Sequence, residues 1–514
     1  AMIPAIWMGA CQWERRPLLG GYLFGLGHFA TTMLWLREIF VLVPLLLGGV
    51  LAIYPALWLW LSQSCYRNLL RSSKHDLEPI ADPTRPQPRL SCPKALLLAA
   101  MISVCWIALE WARGKLLSGM PWNQLGISQW KQTGILPVAA IAGVSGISFI
   151  IIAVNADLAV AFSLYRQKYG WKSLTPLLLL IPVIALVTWA HVNSPKALET
   201  KDTIRIAAAQ GNIPQIRIFT DKELQLSMEV YDQLSRDIIR KESPDLLIWP
   251  ETAVPVSVIW NDAYRNMVRS LMADIQTPML IGSIDYRRPT DKDPVETTNS
   301  IMQFDANGAH LATYDKIKIV PFGEFVPGES IFPKLADWFG MGRGLTPGKV
   351  PGVLNFEGRA DLGVMICYED AFSQISRQVT LRGAAILITV TNDAWYGETT
   401  GARQHMIHSI FRAVENRRPM FRSGNNSDSL LILPDGTLVE PLIDPETDSP
   451  FYRGAAVWSV PVFNMPGVTV YTRWGDWLPW LCIAGSFASL VYCLMRWFDR
   501  RRRLYAMTQP MGNN

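Results

Sequence analysis

The sequence predicts a multi-span α-helical membrane bundle joined to an α/β layered domain, on three observations. Half of the 514 residues are apolar and only 18% are charged, greasier than an average soluble protein. Six stretches are apolar over roughly the 20 residues that a helix needs to cross a bilayer. Between Thr203 and Val460 the pattern changes to short β-rich runs separated by longer polar stretches compatible with helix.

The six stretches are Leu18 to Leu36, Ile39 to Leu61, Ala95 to Trp111, Ala142 to Leu164, Leu174 to Val192 and Trp477 to Phe498. Interruptions in the first and fourth are mainly Gly, Ala, Ser and Thr, which suit close helix packing in lipid. Ala1 to Cys11 is apolar but short and lacks the basic n-region of a signal peptide. It reads as the tail of an earlier helix, so the true amino terminus is expected to lie before it. The organisation expected is therefore membrane helices over 1–192 (five full spans and a partial one), a catalytic domain over 203–460, a last membrane helix over 477–498 and a basic tail over 499–514.

Orientation follows from Lys and Arg, because basic loops stay on the cytoplasmic side. Arg15 and Arg16 precede the first span, and Arg67, Arg71, Lys74, Arg85, Arg89 and Lys94 separate the second from the third. Arg166, Lys168 and Lys172 separate the fourth from the fifth, and Arg500 to Arg503 follow the last. An even number of spans puts all four groups on one side and the segment from His191 to Asp476 on the extracytoplasmic side. The net charge of +5 is small for this length and its basic residues cluster beside apolar segments, so nucleic acid is not an expected partner.

Within the α/β region, strands are predicted at Ile204 to Ala208, Leu246 to Trp249, Met279 to Ile284, Ile301 to Phe304, Leu362 to Ile366, Ile386 to Thr389 and Leu430 to Leu433. Asp221 to Lys241 has the period of a charged amphipathic helix, and Pro434-Asp435-Gly436 reads as a hairpin turn. Three chemically loaded residues fall at or just beyond such runs: Glu251 in Trp249-Pro250-Glu251-Thr252, Lys316 in Tyr314-Asp315-Lys316, and Cys367 in Ile366-Cys367-Tyr368-Glu369-Asp370. Taken singly, each has a plain structural alternative: a helix-start carboxylate, a surface charge and a core thiol. Of seven cysteines, however, Cys367 alone lies between His191 and Asp476, so no disulfide forms within that segment.

Together the three make an acyl-transfer set. A thiol with an ordinary pKa near 8.5 needs a base or a positive field to act at neutral pH. Glu251 can take its proton, and Lys316 can stabilise the tetrahedral oxyanion with the Tyr368 backbone N–H as second donor. A helix beginning near Asp370 would add its dipole. His405 is a further candidate base, for a role that Glu251 already fills. No Cys, His and carboxylate grouping has metal-ligand spacing, and neither a P-loop nor a dinucleotide fingerprint is present, so no cofactor or metal is expected.

These segments resemble the signature of the nitrilase, or carbon–nitrogen hydrolase, superfamily, whose Glu, Lys and Cys come in this order. Neighbouring words narrow the resemblance to the apolipoprotein N-acyltransferases: Val320-Pro321-Phe322-Gly323-Glu324-Phe325-Val326-Pro327, Asn392-Asp393-Ala394-Trp395-Tyr396-Gly397, Gln404-His405, and, in the membrane half, Glu110-Trp111 and Pro121-Trp122-Asn123-Gln124-Leu125-Gly126. The resemblance implies a nitrilase-like αββα sandwich, a thioester acyl-enzyme on Cys367, and transfer of an acyl chain from a membrane phospholipid, typically phosphatidylethanolamine, to the α-amino group of the diacylglyceryl-modified N-terminal cysteine of an apolipoprotein. It implies a bacterial cytoplasmic (inner) membrane location with the catalytic domain on the periplasmic face, and eight helices where six spans are visible. It also marks Glu324, Tyr368, Glu369 and Trp395 as supporting or substrate-binding positions. Loops Met120 to Trp130 and Ile331 to Met341 are candidates for admitting acyl chains, with ordinary interfacial Trp and Phe anchoring as the equal alternative.

Two departures stand out. Phe219 is the best match to a family Trp, and Gly424-Asn425-Asn426-Ser427-Asp428 stands where a Thr-Asn-Asn-Gly word is expected. The competing readings are a membrane-tethered nitrilase-type amidase acting on a small substrate and a catalytically dead scaffold. Loss of a triad member would mark the scaffold, and all three are present.

Overall fold

The computed structural model describes residues 2–10, 16–70, 90–194, 198–214, 220–287, 295–328, 344–464 and 467–508. It divides into two compact units, one of Ala1–Gln129, Val144–Asn193 and Asp476–Asn514, the other of Trp130–Gly143 and Ser194–Gly475.

The first unit is helical. Among the described residues five helices are long and apolar enough to cross a membrane, Val43–Leu70, Cys92–Arg113, Leu136–Arg166, Gly170–Val192 and Trp477–Asp499, the third of which begins in the second unit. Leu18 to Leu36, expected as a full span, is instead a 16-residue helix, Pro17–Thr32, followed by the 3-10 turn Leu34–Glu38. At 1.5 Å per residue that helix falls short of the hydrocarbon thickness. It packs closely all the same, because Cβ atoms at Gly21 and Gly25 would lie only 2.7 and 2.8 Å from the Cα atoms of Ala56 and Ala52. In the bundle core Trp58 donates its indole N–H to the Ile102 carbonyl at 3.0 Å and meets Trp106 edge-on. Leu481, Phe487, Met495 and Phe498 on the last helix are exposed, an apolar surface suited to lipid.

Trp122, in one of the loops expected to admit acyl chains, is buried, and its carbonyl accepts from Arg113. It is therefore a packing residue of this unit. The other such loop, Ile331 to Met341, lies outside the described residues.

The second unit is an α/β sandwich of two six-stranded sheets. The first has the order β12-β1-β2-β3-β4-β5 and the second β11-β10-β9-β8-β7-β6. The strands are β1 (Thr200–Gln210), β2 (Leu246–Ile248), β3 (Met279–Arg287), β4 (Glu296–Phe304), β5 (His310–Asp315), β6 (Gly352–Phe356), β7 (Ala360–Ile366), β8 (Ile386–Thr391), β9 (Met420–Gly424), β10 (Leu430–Ile432), β11 (Leu438–Val439) and β12 (Gly454–Phe463). All seven predicted strands are present. Those not predicted are β5, β6, β9, β11 and β12. The local pattern hides β9 because it carries the buried Arg422, and β12 because it contains Pro461, which an edge strand tolerates.

Each sheet has three parallel neighbours, β1-β2-β3 and β7-β8-β9, whose crossovers place helices on the outer faces. The helix Asp221–Glu242 starts at a capping box between Thr220 and Glu223 and turns Leu224, Met228, Tyr231 and Ile238 inward. Pro434-Asp435-Gly436 does join β10 to β11 as an antiparallel hairpin.

One close approach shapes the carboxyl end of β2. A Cβ at Gly282 on β3 would lie 2.0 Å from the Pro250 carbonyl oxygen and 2.8 Å from Glu251 Cα. Only glycine lets the chain carrying Glu251 lie against β3. Gly282→Ala should therefore lower the melting temperature of the purified protein by roughly 5 °C or more, as overpacking against backbone does. Gly134→Ala, whose Cβ would meet nothing within 4 Å, is the control and should leave it unchanged. Equal melting temperatures for both variants would contradict the packing argument.

Candidate active site

The three residues singled out by sequence converge from strand ends. Glu251 follows β2, Lys316 follows β5 and Cys367 follows β7, and all three are buried. The Lys316 ammonium, 1% exposed, donates to Glu251 Oε1 at 3.0 Å and to Glu324 Oε1 at 2.8 Å. Asn299 on β4 lays its side-chain N–H group across the same two oxygens at 2.8 and 3.1 Å. The second oxygens are held as well, Glu251 Oε2 by the Asn392 N–H at 2.8 Å and Glu324 Oε2 by the Val320 N–H at 2.7 Å. Glu324 thus lies directly against Lys316. Asn299 and Asn392 were not singled out as site residues, although Asn392 opens one of the words that carry the resemblance.

Charge and burial set the resting protonation. Burial works against the Lys316 charge, but Glu251 and Glu324 overcome it and hold its pKa well above the ordinary value. Burial, reinforced by Glu251, pushes the Cys367 thiol well up, with Lys316 opposing. The thiol is therefore protonated at rest beside a carboxylate.

Cys367 sits on a strained turn. Its φ of 52° is in the left-handed region, which costs a non-glycine residue about 1–2 kcal/mol. Glu369 holds the turn from beneath. One of its oxygens accepts from the Ile366 N–H at 2.8 Å and the Tyr314 hydroxyl at 2.7 Å; the other accepts from the Ile317 and Lys318 N–H groups at 2.7 and 3.0 Å. One buried carboxylate thus ties the Cys367 turn to the segment carrying Lys316. Burial raises the Glu369 pKa against the pull of these donors.

No α-helix starts at the thiol. Cys367–Ala371 is a 3-10 turn and the helix begins at Ser373, so the expected dipole contribution does not reach Cys367. Tyr368 is buried with its ring edge-on to Phe372. Trp395 lies 40% exposed in the turn after β8. Phe219 lies outside the described residues. In the departure at Ser427-Asp428 both residues are buried, and Asp428 pairs with Arg403 at 3.1 Å.

Behind the turn is a fully buried charge network that sequence spacing did not reveal. His405, from the helix Thr400–Asn416, places Nδ1 2.6 Å from Asp393 Oδ1, and Nε2 2.9 Å from Asp370 Oδ1 and 3.1 Å from the Cys367 carbonyl oxygen. Arg422 on β9 pairs with Asp370 at 2.8 Å and Asp393 at 2.9 Å. Burial opposes charge on His405, but Asp370 and Asp393 overcome it and raise its pKa to about 9. Burial likewise opposes charge on the two aspartates, yet His405 and Arg422 hold both below the usual carboxylate range.

Cys367, Asp393 and His405 do bring potential ligand atoms within 4.8 Å of one another, a grouping that sequence spacing had not suggested. His405 already directs both ring nitrogens at acceptors, Asp393 Oδ1 and the Cys367 carbonyl oxygen. Arg422 already neutralises the same carboxylates. The donor set fits a charge network, and we assign no metal to it.

A thiol, a carboxylate and an ammonium thus lie buried together in a two-sheet α/β sandwich, the fold class of the carbon-nitrogen hydrolases. The profile described as Carbon-nitrogen hydrolase matches residues 205–449, and that of the Apolipoprotein N-acyltransferase N-terminal domain matches residues 1–156. An apolipoprotein N-acyltransferase of Geobacter metallireducens is 30% identical over 403 residues, covering 76% of this chain and 74% of its own. One from Methylococcus capsulatus is 27% identical over 519 residues, covering 98% and 91%. Among solved structures an amidase from Nesterenkonia sp. aligns over 52% of this chain and 95% of its own, at 19% identity and a TM-score of 0.38, a likeness too loose to assign residues. The chain belongs to the apolipoprotein N-acyltransferase family. It is a membrane acyltransferase with lipid and lipoprotein substrates.

The clamp at Glu369 is directly testable. Glutamine has one accepting oxygen, so in Glu369→Gln at least one buried N–H loses its acceptor, a cost of about 1–3 kcal/mol. The variant should melt at lower temperature and acylate more slowly. Wild-type values for both would remove the clamp from the account.

Proposed function

We propose that the chain moves an acyl chain from a membrane phospholipid to the α-amino group of the diacylglyceryl-modified N-terminal cysteine of an apolipoprotein through a thioester on Cys367. The observation that carries this reading is the buried convergence of Glu251, Lys316 and Cys367 in a chain that also has five membrane-length helices. Phosphatidylethanolamine is the donor the resemblance favours. The catalytic unit faces the periplasm from the inner membrane, in keeping with basic loops on the other side.

In the first half-reaction Glu251 takes the thiol proton as Cys367 Sγ bonds to the ester carbonyl carbon. Among the described residues Glu251 Oε2 accepts only the Asn392 N–H, which leaves a lone pair for that proton. The carbonyl electron pair moves onto oxygen, where Lys316 and the Tyr368 N–H stabilise it. Collapse breaks the ester C–O bond, and the lysophospholipid leaves with the proton from Glu251. In the second half-reaction the neutral amine attacks the thioester and loses a proton to Glu251. An amide forms, and the departing thiolate recovers the proton. Both lipid-anchored substrates reach one site at the bilayer surface, which removes much of the entropic cost of bringing them together.

The test is an N-acylation assay with purified protein in detergent, phospholipid and a diacylated lipopeptide. N-acylated lipopeptide is the expected product; release of free fatty acid without it would make the protein a hydrolase. Lys316→Met should retain phospholipid binding but lose roughly a hundredfold to a thousandfold in rate, as loss of one oxyanion donor does. Near-normal turnover in folded Lys316→Met would remove Lys316 from the mechanism.

A further inference from the structure

His405 has no part in the chemistry above, yet it is fully buried against the nucleophile's own backbone. Its Nε2 lies 3.1 Å from the Cys367 carbonyl oxygen, and that carbonyl shares a peptide unit with the Tyr368 N–H. The described chain has no cis peptide bonds, so in this planar trans unit the C=O and N–H point in opposite directions. A donor that fixes the carbonyl on one side therefore fixes the aim of the N–H on the other. A cation behind the carbonyl also polarises the peptide and strengthens its N–H as a donor.

We infer that His405 is a positioning residue for the oxyanion site: hydrogen-bonded to the Cys367 carbonyl, it holds the Cys367–Tyr368 peptide so that the Tyr368 N–H meets the developing oxyanion. Asp393 on Nδ1 fixes the ring, Asp370 lies 2.9 Å from Nε2 as an ion-pair partner, and Arg422 balances both carboxylates from β9. Ser409, one helical turn beyond His405, donates to Asp370 at 2.6 Å and sets that carboxylate in turn. His408, also buried, has its pKa lowered to about 3 by burial, so the helix presents one charged and one neutral imidazole here. The strained φ at Cys367 explains why the peptide needs holding: Glu369 grips its amino-terminal side and His405 its carboxyl side.

The inference rests on Cys367 being the nucleophile, and the experiment separates the two claims. Two rates are measured on Cys367 in wild type and in His405→Gln: thioester formation from phospholipid, and alkylation by iodoacetamide. Thioester formation passes through a carbonyl oxyanion, whereas alkylation displaces iodide at carbon and makes none. His405→Gln should lose roughly tenfold or more in the limiting acylation rate, a fraction of what losing a whole donor costs. Half-saturating phospholipid should be unchanged and alkylation should fall far less, which also reports an intact site. Parallel falls in the two rates would mean that His405 acts on the thiol, and no change in acylation would mean that it does not act; either overturns the inference. If His405→Gln does not fold, Asp393→Asn, which removes the charge fixing Nδ1, should show the same selective loss, and a proportional loss there overturns it. Failure of wild type to form any thioester would instead sink the reading of Cys367.

Discussion

The arrangement depends on one buried cation. Lys316 has almost no contact with solvent, and a lysine so placed keeps its charge only if carboxylates surround it. Glu251 and Glu324 supply them from the end of β2 and from the segment after Lys316, and Asn299 bridges the two. Removing one member of a buried pair costs about 3–5 kcal/mol because the partner is left uncompensated. That penalty fixes the spacing of Glu251 and Lys316, so the contacts that neutralise the cation also hold the proposed base and oxyanion partner in place.

A second buried group extends this logic to the proposed nucleophile. Glu369 spends all four of its described hydrogen bonds on the two segments that meet at the site, so Cys367 cannot shift relative to Lys316 without stranding a donor. Beneath it, two aspartates face an imidazolium and an arginine, a balanced cluster in the centre of an apolar sandwich. The rigidity suits a site that must hold an oxyanion donor in place before the charge appears.

Much of this was legible in the sequence, and the limits have physical causes. Glu251 and Cys367 stand beside apolar β-rich runs, a local property, whereas β5 before Lys316 was not predicted; the three are legible because their chemistry is complete as a set. Asn299 was invisible because it lies within a strand and acts through a partner 48 positions away. Asp370, Asp393, His405 and Arg422 come together only when β7, β8, β9 and a helix pack, so spacing along the chain carries no trace of them. Hydropathy found the apolar segments but not their breaks: the 16-residue helix Pro17–Thr32 and the 3-10 turn after it read as one continuous span. Trp122, in a loop read as a candidate for admitting acyl chains, is internal because its neighbours enclose it, with the Trp35 ring 5.3 Å away.

The central claim is that Cys367 carries the acyl group between two separate half-reactions, and the direct measurement is to trap it. Purified protein incubated with acyl-labelled phospholipid alone, without any apolipoprotein, should release lysophospholipid and acquire a label that neutral hydroxylamine strips. Mass spectrometry should place that label on the peptide containing Cys367, and added diacylated lipopeptide should discharge it to an amide faster than water does. Lysophospholipid appearing only when both substrates are present, with no adduct on Cys367, would contradict the account.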